Sequence, residues 1–275
     1  MMGEADPAIL MVAPNGARKT KADHPAVPIG PSEIAEEAVR CREAGASMLH
    51  LHVRQADGRH LLDAEAYKAA TEAIRQAVGS DMVVQITTEA VGIYSPDEQM
   101  AVVREARPEA VSLAVREILP DEESLEQGAA FLAWLGKEHI SPQYILYDAA
   151  DVERFDALRK RGVIPGERAF VLYVLGRYSA DQQSNPLDLL PFLGAATGGD
   201  IWAVCAFGAR ESACAAAALA LGGHARVGFE NNLLMADGGL ARHNADLVSQ
   251  ARGAVGLAGR ALAGADQVRE ILAAL

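Results

Sequence analysis

Residues 82–106 read Met82-Val83-Val84-Gln85-Ile86-Thr87-Thr88-Glu89-Ala90-Val91-Gly92-Ile93-Tyr94-Ser95-Pro96-Asp97-Glu98-Gln99-Met100-Ala101-Val102-Val103-Arg104-Glu105-Ala106. The run Met82–Thr87 is short, apolar and β-branched, as a strand covered on both faces must be. Ser95-Pro96-Asp97-Glu98 then offers a capping serine, proline at the first helical position and an acid placed for a capping box, so a helix is expected over Pro96–Ala106. One strand followed by one helix is the repeating unit.

The unit recurs in both directions. Further strand-like runs are Ala8–Ala13, Met48–Val53, Ala110–Val115, Tyr144–Tyr147, Phe170–Leu175, Ile201–Phe207 and Ala225–Phe229. Helical periodicity marks Ser32–Ala44, Asp63–Val78, Glu122–Lys137, Ala150–Arg161, Leu187–Ala195 and Glu211–Leu221, with Asn244–Gly256 and Gly264–Leu275 closing the chain. Gly222-Gly223 supplies a stop before the last strand. Eight buried strands alternating with helices predict an α/β protein, a closed (β/α)8 TIM barrel forming one domain over residues 1–275. A doubly wound open sheet is the alternative architecture; no G-x-G-x-x-G follows the first strand to favour a dinucleotide fold.

Composition narrows the function. The formal net charge is −12 over 275 residues, leaving no basic stripe to neutralise phosphates, so a nucleic-acid partner is not expected. Three cysteines, Cys41, Cys205 and Cys214, form no CxxC pair and suggest neither a disulfide framework nor a thiolate zinc site. The stretch Met1–Pro7 has no basic region leading into an apolar run, and no later segment has the ~20 apolar residues of a membrane span. A soluble, cytoplasmic protein is the expectation. The alanine run Ala213–Ala220 reads as a closely packed helix face.

In His50-Leu51-His52-Val53-Arg54 the side chains of a strand alternate, so both imidazoles project from one face. If that face is the barrel interior, they converge at the C-terminal mouth, where barrel active sites are assembled. A catalytic zinc commonly has two histidines and a carboxylate with one position open. Glu230, read as ending the eighth strand, is the candidate third ligand, since a carboxylate buried there costs several kcal/mol unless paired or metal-bound. Two satisfied core histidines are the competing reading of the pair. His24, His60, His139, His224 and His243 are read as solvated residues of loops and helix edges.

These residues, together with Asn15-Gly16-Ala17, Thr20-Lys21-Ala22-Asp23-His24-Pro25, Glu43-Ala44-Gly45-Ala46 and Gly223-His224-Ala225-Arg226-Val227-Gly228-Phe229-Glu230-Asn231, resemble the β-keto acid cleavage enzymes of the 3-keto-5-aminohexanoate cleavage type over nearly the whole chain. The resemblance implies a zinc-dependent barrel that condenses a β-keto acid with acetyl-CoA, giving acetoacetate and a new CoA thioester. It implies His50, His52 and Glu230 as ligands, Arg226 as a substrate contact, and Thr87 and Thr88 as substrate hydrogen-bonding groups. It also suggests a homo-oligomer, with a tetramer as one form. Acetyl-CoA rests on the resemblance alone, because no local CoA signature is present.

The chain also departs from the family's pattern. Arg18 stands where an acid receives a substrate ammonium group, so a second anionic or neutral polar group, such as that of a β-keto dicarboxylate, is expected; a merely solvated Arg18 is the alternative. Asn231 and Gln143 stand where acids are expected, and an amide cannot act as a general base. Glu89 and Glu117 are the replacement candidates for proton transfer, unless they are loop acids or partners of Arg116. The long connection Gly16–Pro31 has the length of a lid, and its Lys19 and Lys21 are candidate contacts for CoA phosphates or carboxylates. A zinc-dependent aldolase or hydrolase of a small oxo acid, and a barrel that binds an oxo acid without turning it over, are the competing functions.

Overall fold

The computed structural model describes residues 6–275; Met1–Ala5, within the stretch considered above for a leader, lie outside the described residues. Eight parallel strands close on themselves: β1 Leu10–Val12, β2 Met48–Leu51, β3 Val83–Thr87, β4 Ala110–Ala114, β5 Ser141–Leu146, β6 Phe170–Leu175, β7 Ile201–Ala206 and β8 His224–Val227. Closure is made by β1, which pairs with β8 (Met11 with Arg226) and with β2 (Met11 with Met48). An open doubly wound sheet is thereby ruled out. Around the barrel run α1 Pro31–Ala44, α2 Ala64–Val78, α3 Pro96–Ala106, α4 Leu125–Lys137, α5 Ala149–Lys160, α6 Leu190–Ala195, α7 Glu211–Ala220 and α8 Asn244–Leu257, with α9 Ala265–Ala273 last.

The helix starts follow local chemistry. Ser95 caps α3 by accepting from the Glu98 amide, while the Glu98 carboxylate accepts from the Ser95 amide at 2.8 Å. Asp63 and Asp148 cap α2 and α5 by accepting from the Ala66 and Asp151 amides, without a reciprocal bond. The alanine-rich α7 buries Cys214, Ala215, Ala218 and Leu219 within this chain. No described helix is long and apolar enough to cross a membrane.

Some boundaries differ from those expected. The fifth strand begins at Ser141, three residues early, because Pro142 cannot donate to a ladder and masks the start. The segment expected as one helix over 187–195 is a 3-10 turn, Pro186–Leu189, running into α6. A hairpin pairing Val53–Arg54 with His60–Leu61 interrupts the β2–α2 connection and went unanticipated, being only two residues per strand. His24, His60 and His224, expected in solvent, are buried. His24 is held by the Ala241 carbonyl and the Ala26 amide, and His60 by the Glu89 carbonyl.

Alternation sorts the strand residues into two sets. Leu49, Val84, Val111, Tyr144 and Val171 face the helices, whereas Met11, Met48, Val83, Ala110, Phe170, Leu172 and Ala203 pack inside the barrel. Further along the same inward rows come His50, Gln85, Thr87, Gln143, Cys205 and Arg226. The interior therefore changes from apolar at its base to polar at its C-terminal mouth.

At the base, His224 Nδ1 accepts the Ile9 amide at 3.0 Å, and burial, with Arg260 adding to it, pushes the imidazole down to about 3. An unfolded histidine binds its proton near pH 6.5 and the folded one does not, so stability is lost as pH falls from 6.5 towards 3, by about 1.4 kcal/mol per unit. His224→Gln keeps an acceptor but cannot titrate. Denaturation at pH 7 and pH 4 should show the stability advantage of wild type over the variant shrinking on acidification; a pH-independent difference contradicts this account.

Candidate metal and substrate site

His50 leaves the end of β2 and His52 follows it; both are buried, with ring centroids 4.9 Å apart. Glu230 lies three residues past β8, in a turn where the Gly228 carbonyl accepts from the Asn231 and Asn232 amides. It therefore does not end the strand, as expected, but is folded back over it. The bend needs Gly228, whose φ is +136° and where a Cβ would lie 2.5 Å from the Ala13 carbonyl oxygen. The Glu230 amide then donates to that same carbonyl at 3.1 Å.

Three potential ligand atoms meet at this point. His50 Nε2 and His52 Nε2 are 3.1 Å apart, and Glu230 Oε2 is 3.5 and 3.4 Å from them. Nitrogen and oxygen ligands about 2.0–2.1 Å from a tetrahedral ion lie about 3.3 Å from one another, so the spacing fits one divalent cation. Glu230 Oε2 is buried and without a hydrogen-bond partner, as a ligand atom awaiting a cation would be. Gln85 Oε1 faces His50 Nδ1 at 2.8 Å, which fixes the proton on Nδ1 and turns the Nε2 lone pair towards the other two atoms.

Gln85 is in turn held by Gln143: Gln85 Nε2 donates to Gln143 Oε1 at 3.2 Å, and Gln143 Nε2 reaches Met11 Sδ. The amide at 143 thus orients a histidine through a second amide. Gln85 was missed in the sequence reading, although a lone amide inside the apolar run Met82–Thr87 was a signal for it.

Arg226 is buried beside this cluster. Its Nη2 donates to Glu230 Oε1 at 3.0 Å and to Cys205 Sγ at 3.3 Å, while Nε and Nη1 have no partner. Burial raises the Glu230 carboxyl, but Arg226 and the two imidazoles outweigh it and hold the group well below the usual carboxylate range. His50 is kept neutral by burial and by Arg226. Burial pushes the Cys205 thiol up to about 11, so it faces Arg226 as a thiol.

A narrow cleft opens from these groups, lined by His50, Arg226 and Glu230, by Thr87, Glu89 and Arg177, and by Ile145, Tyr147, Val174 and Phe207. Arg177 was not anticipated. Its guanidinium lies 5.3 Å from the Phe207 ring centre, and its Nη2 is 3.5 Å from Glu89 Oε1. Arg18 Nη1 reaches the same oxygen at 3.0 Å, so the two cations share one carboxylate at the mouth. Lys19 Nζ donates to the Glu230 carbonyl at 2.7 Å, whereas Lys21 is paired with Glu33 of α1.

Other predicted residues are arranged differently. Thr87 lines the cleft with its hydroxyl accepting the Glu89 amide, but the Thr88 hydroxyl donates to the Ser112 carbonyl, within the wall between β3 and β4. The Glu117 carboxylate accepts from the Ala90 amide and from Gln99, and burial raises its pKa. It braces the loop after β3 and does not line the cleft. Arg116 pairs with Asp148 and Asp151 instead. The Asn231 side-chain amide is buried with neither Oδ1 nor Nδ2 partnered.

A sequence model described as beta-keto acid cleavage enzyme matches residues 7–273. The chain belongs to the beta-keto acid cleavage enzyme family. Among curated relatives of this beta-keto acid cleavage family member, a 3-keto-5-aminohexanoate cleavage enzyme of Fusobacterium nucleatum is 32% identical over 271 residues, covering 96% of this chain and 97% of that one. A 3-oxoadipate:acetyl-CoA acetyltransferase of Cupriavidus necator is 29% identical, covering 97% and 94%. Among solved structures, apo ObcA superposes with a TM-score of 0.73 at 19% identity, over 92% of this chain and 66% of that longer one, and so speaks for the barrel fold alone.

The amide contact behind His50 is open to test in this family member. Gln85→Leu strands the His50 Nδ1 proton and frees the ring to turn, and should weaken divalent-metal affinity about 10–100-fold with helix content unchanged. Chelator competition measures it; wild-type affinity in the variant would refute the orienting role.

Proposed function

We propose that the protein is a zinc-dependent β-keto acid cleavage enzyme, an acyltransferase that condenses a β-keto acid with acetyl-CoA to give acetoacetate and a new CoA thioester. Membership of the family and the activities named for its relatives support the reaction class. The observation that carries the reading is the meeting of His50, His52 and Glu230 beside an arginine whose Nε and Nη1 are buried and free.

His50, His52 and Glu230 would hold a zinc ion, which would supply Lewis acidity for a substrate ketone. Arg226 binds the substrate carboxylate through its unpartnered Nη1 and its permanent positive charge. The Glu230 carboxylate, bound to Nη2, stops the guanidinium from rotating. Thr87 offers its hydroxyl to the substrate from β3, and Ile145, Val174 and Phe207 exclude water on the opposite side. Gln143 acts by orientation through Gln85, and Asn231 as a neutral hydrogen-bonding group, neither as a base. Thr88 and Glu117 act on substrate only through the strand end and loop that they hold.

The substrate we favour is a β-keto dicarboxylate. Arg18 and Arg177 stand at the mouth with only Glu89 between them, so the local charge exceeds neutrality by one cation. A second carboxylate complements it, whereas an ammonium group is repelled. The Cupriavidus relative is named for a keto dicarboxylate, 3-oxoadipate.

Purified protein incubated with a panel of β-keto acids, with and without acetyl-CoA, tests the reading. Acetoacetate should appear only with acetyl-CoA, and fastest from a dicarboxylate. Turnover without acetyl-CoA would instead indicate an aldolase or hydrolase, and tight binding without product an oxo-acid-binding protein. Arg226→Met, which removes a charged hydrogen-bond pair worth about 3 kcal/mol, should lower kcat/KM about a hundredfold. His50→Ala should abolish stoichiometric zinc by elemental analysis; zinc that persists in that variant contradicts the ligand set.

A further inference from the structure

We propose that Arg54 is a positioning residue for the metal cluster: its guanidinium clamps the β1–α1 loop onto Glu230 and so locks the strand end carrying the two histidines to the carboxylate opposite. The proposal rests on the metal reading above. Neither His52 nor Glu230 belongs to a barrel strand, since β2 ends at Leu51 and β8 at Val227. The ladder therefore leaves their separation undetermined, and some other set of contacts must hold it.

Arg54 follows His52 by two residues and is only 9% exposed. Its Nε donates to the Gly16 carbonyl at 3.0 Å, Nη1 to the carbonyls of Ala17 at 2.9 Å and Gly58 at 2.8 Å, and Nη2 to the Lys19 carbonyl. All four acceptors are main-chain oxygens, three of them in one short stretch. A planar fork with five N–H groups can gather such a curve of carbonyls, which a point charge cannot. Burial lowers the Arg54 pKa while Glu230 and Glu89 support its charge.

The other side of the gathered loop presses on the cluster. Gly16, at φ +60°, lies so close to Glu230 that a Cβ there would be 2.5 Å from its Cγ. Lys19 Nζ holds the Glu230 carbonyl, and the Ala13 carbonyl holds the Glu230 amide. Asn15 Nδ2 donates to the His52 carbonyl at 3.1 Å and to the Pro28 carbonyl at 3.0 Å. One loop thus touches a histidine ligand through Asn15 and the carboxylate ligand through Gly16 and Lys19, and Arg54 sets its curvature. The loop, read from its length as a lid, is in this arrangement the back wall of the metal site.

The test uses full-length Arg54→Met and Arg54→Lys, with zinc affinity measured by chelator competition and amide exchange measured across residues 13–20. Arg54→Met should bind zinc about 10–100-fold more weakly than wild type, with faster exchange in the loop and unchanged far-ultraviolet circular dichroism. Arg54→Lys should recover only a minor part, because an ammonium cannot span the four carbonyls. A folded Arg54→Met with zinc affinity within twofold of wild type overturns the proposal, whatever its loop exchange. Wild type that binds no stoichiometric zinc overturns the metal reading itself, a separate failure. Should Arg54→Met not fold, Lys19→Met removes only the bond from the loop to the Glu230 carbonyl; it should weaken zinc binding severalfold, and wild-type affinity there overturns the proposal.

Discussion

The ion pair between Arg226 and Glu230 is the contact around which the mouth of the barrel is organised. Two charges are withdrawn from water at the top of a barrel whose lower layers are Met, Val, Ala, Phe and Leu. Such burial is tolerated only when every remaining lone pair and proton has a use. One Glu230 oxygen answers Arg226, and the other faces two imidazoles. Two Arg226 nitrogens remain without a partner. The pair is thus incomplete as a structural element and well suited to a cation on one side and a carboxylate on the other.

Around that pair the supports are arranged in order of distance. Gln85 sets the tautomer of His50, and Gln143 sets Gln85. Gly228 permits the bend that returns Glu230 over its own strand. The carbonyl-gathering Arg54 and the close approach of Gly16 press the first loop behind the carboxylate. The three ligand atoms are held a little over 3 Å apart by these supports. Side chains fixed in this way by packing and by hydrogen bonds from behind make a preorganised site.

The cleft beyond the cluster is where this chain differs in charge from a site built for an amine. Arg18 and Arg177 come from the first and sixth strand-to-helix connections and meet on one oxygen of Glu89. Amides at Gln143 and Asn231 keep the interior free of further carboxylates. Arg177 and Arg226 both line the cleft beside Ile145, Val174 and Phe207.

Much of this could be read from the chain in order. Strand and helix periods, the Ser95 cap and the paired histidines are local, since a strand repeats every two residues and a helix about every 3.6. His50 and His52 were therefore expected to share a face; Arg226 and Glu230, about 13 Å apart along a straight strand, meet only because the chain bends after Val227. Other features depended on barrel closure. Gln85 is 35 residues from His50 and 58 from Gln143, and Lys19 is 211 from Glu230. No period links such positions, and their meeting follows from the register in which β1 joins β2 to β8. The same closure buried His24, His60 and His224, turned the Thr88 hydroxyl into the wall and brought Arg177 to the cleft. The sequence by itself determined the repeating unit and the kinds of ligand present. Tertiary structure decided which groups became partners, because hydrogen bonds and ion pairs act over a few ångströms that only the closed barrel supplies.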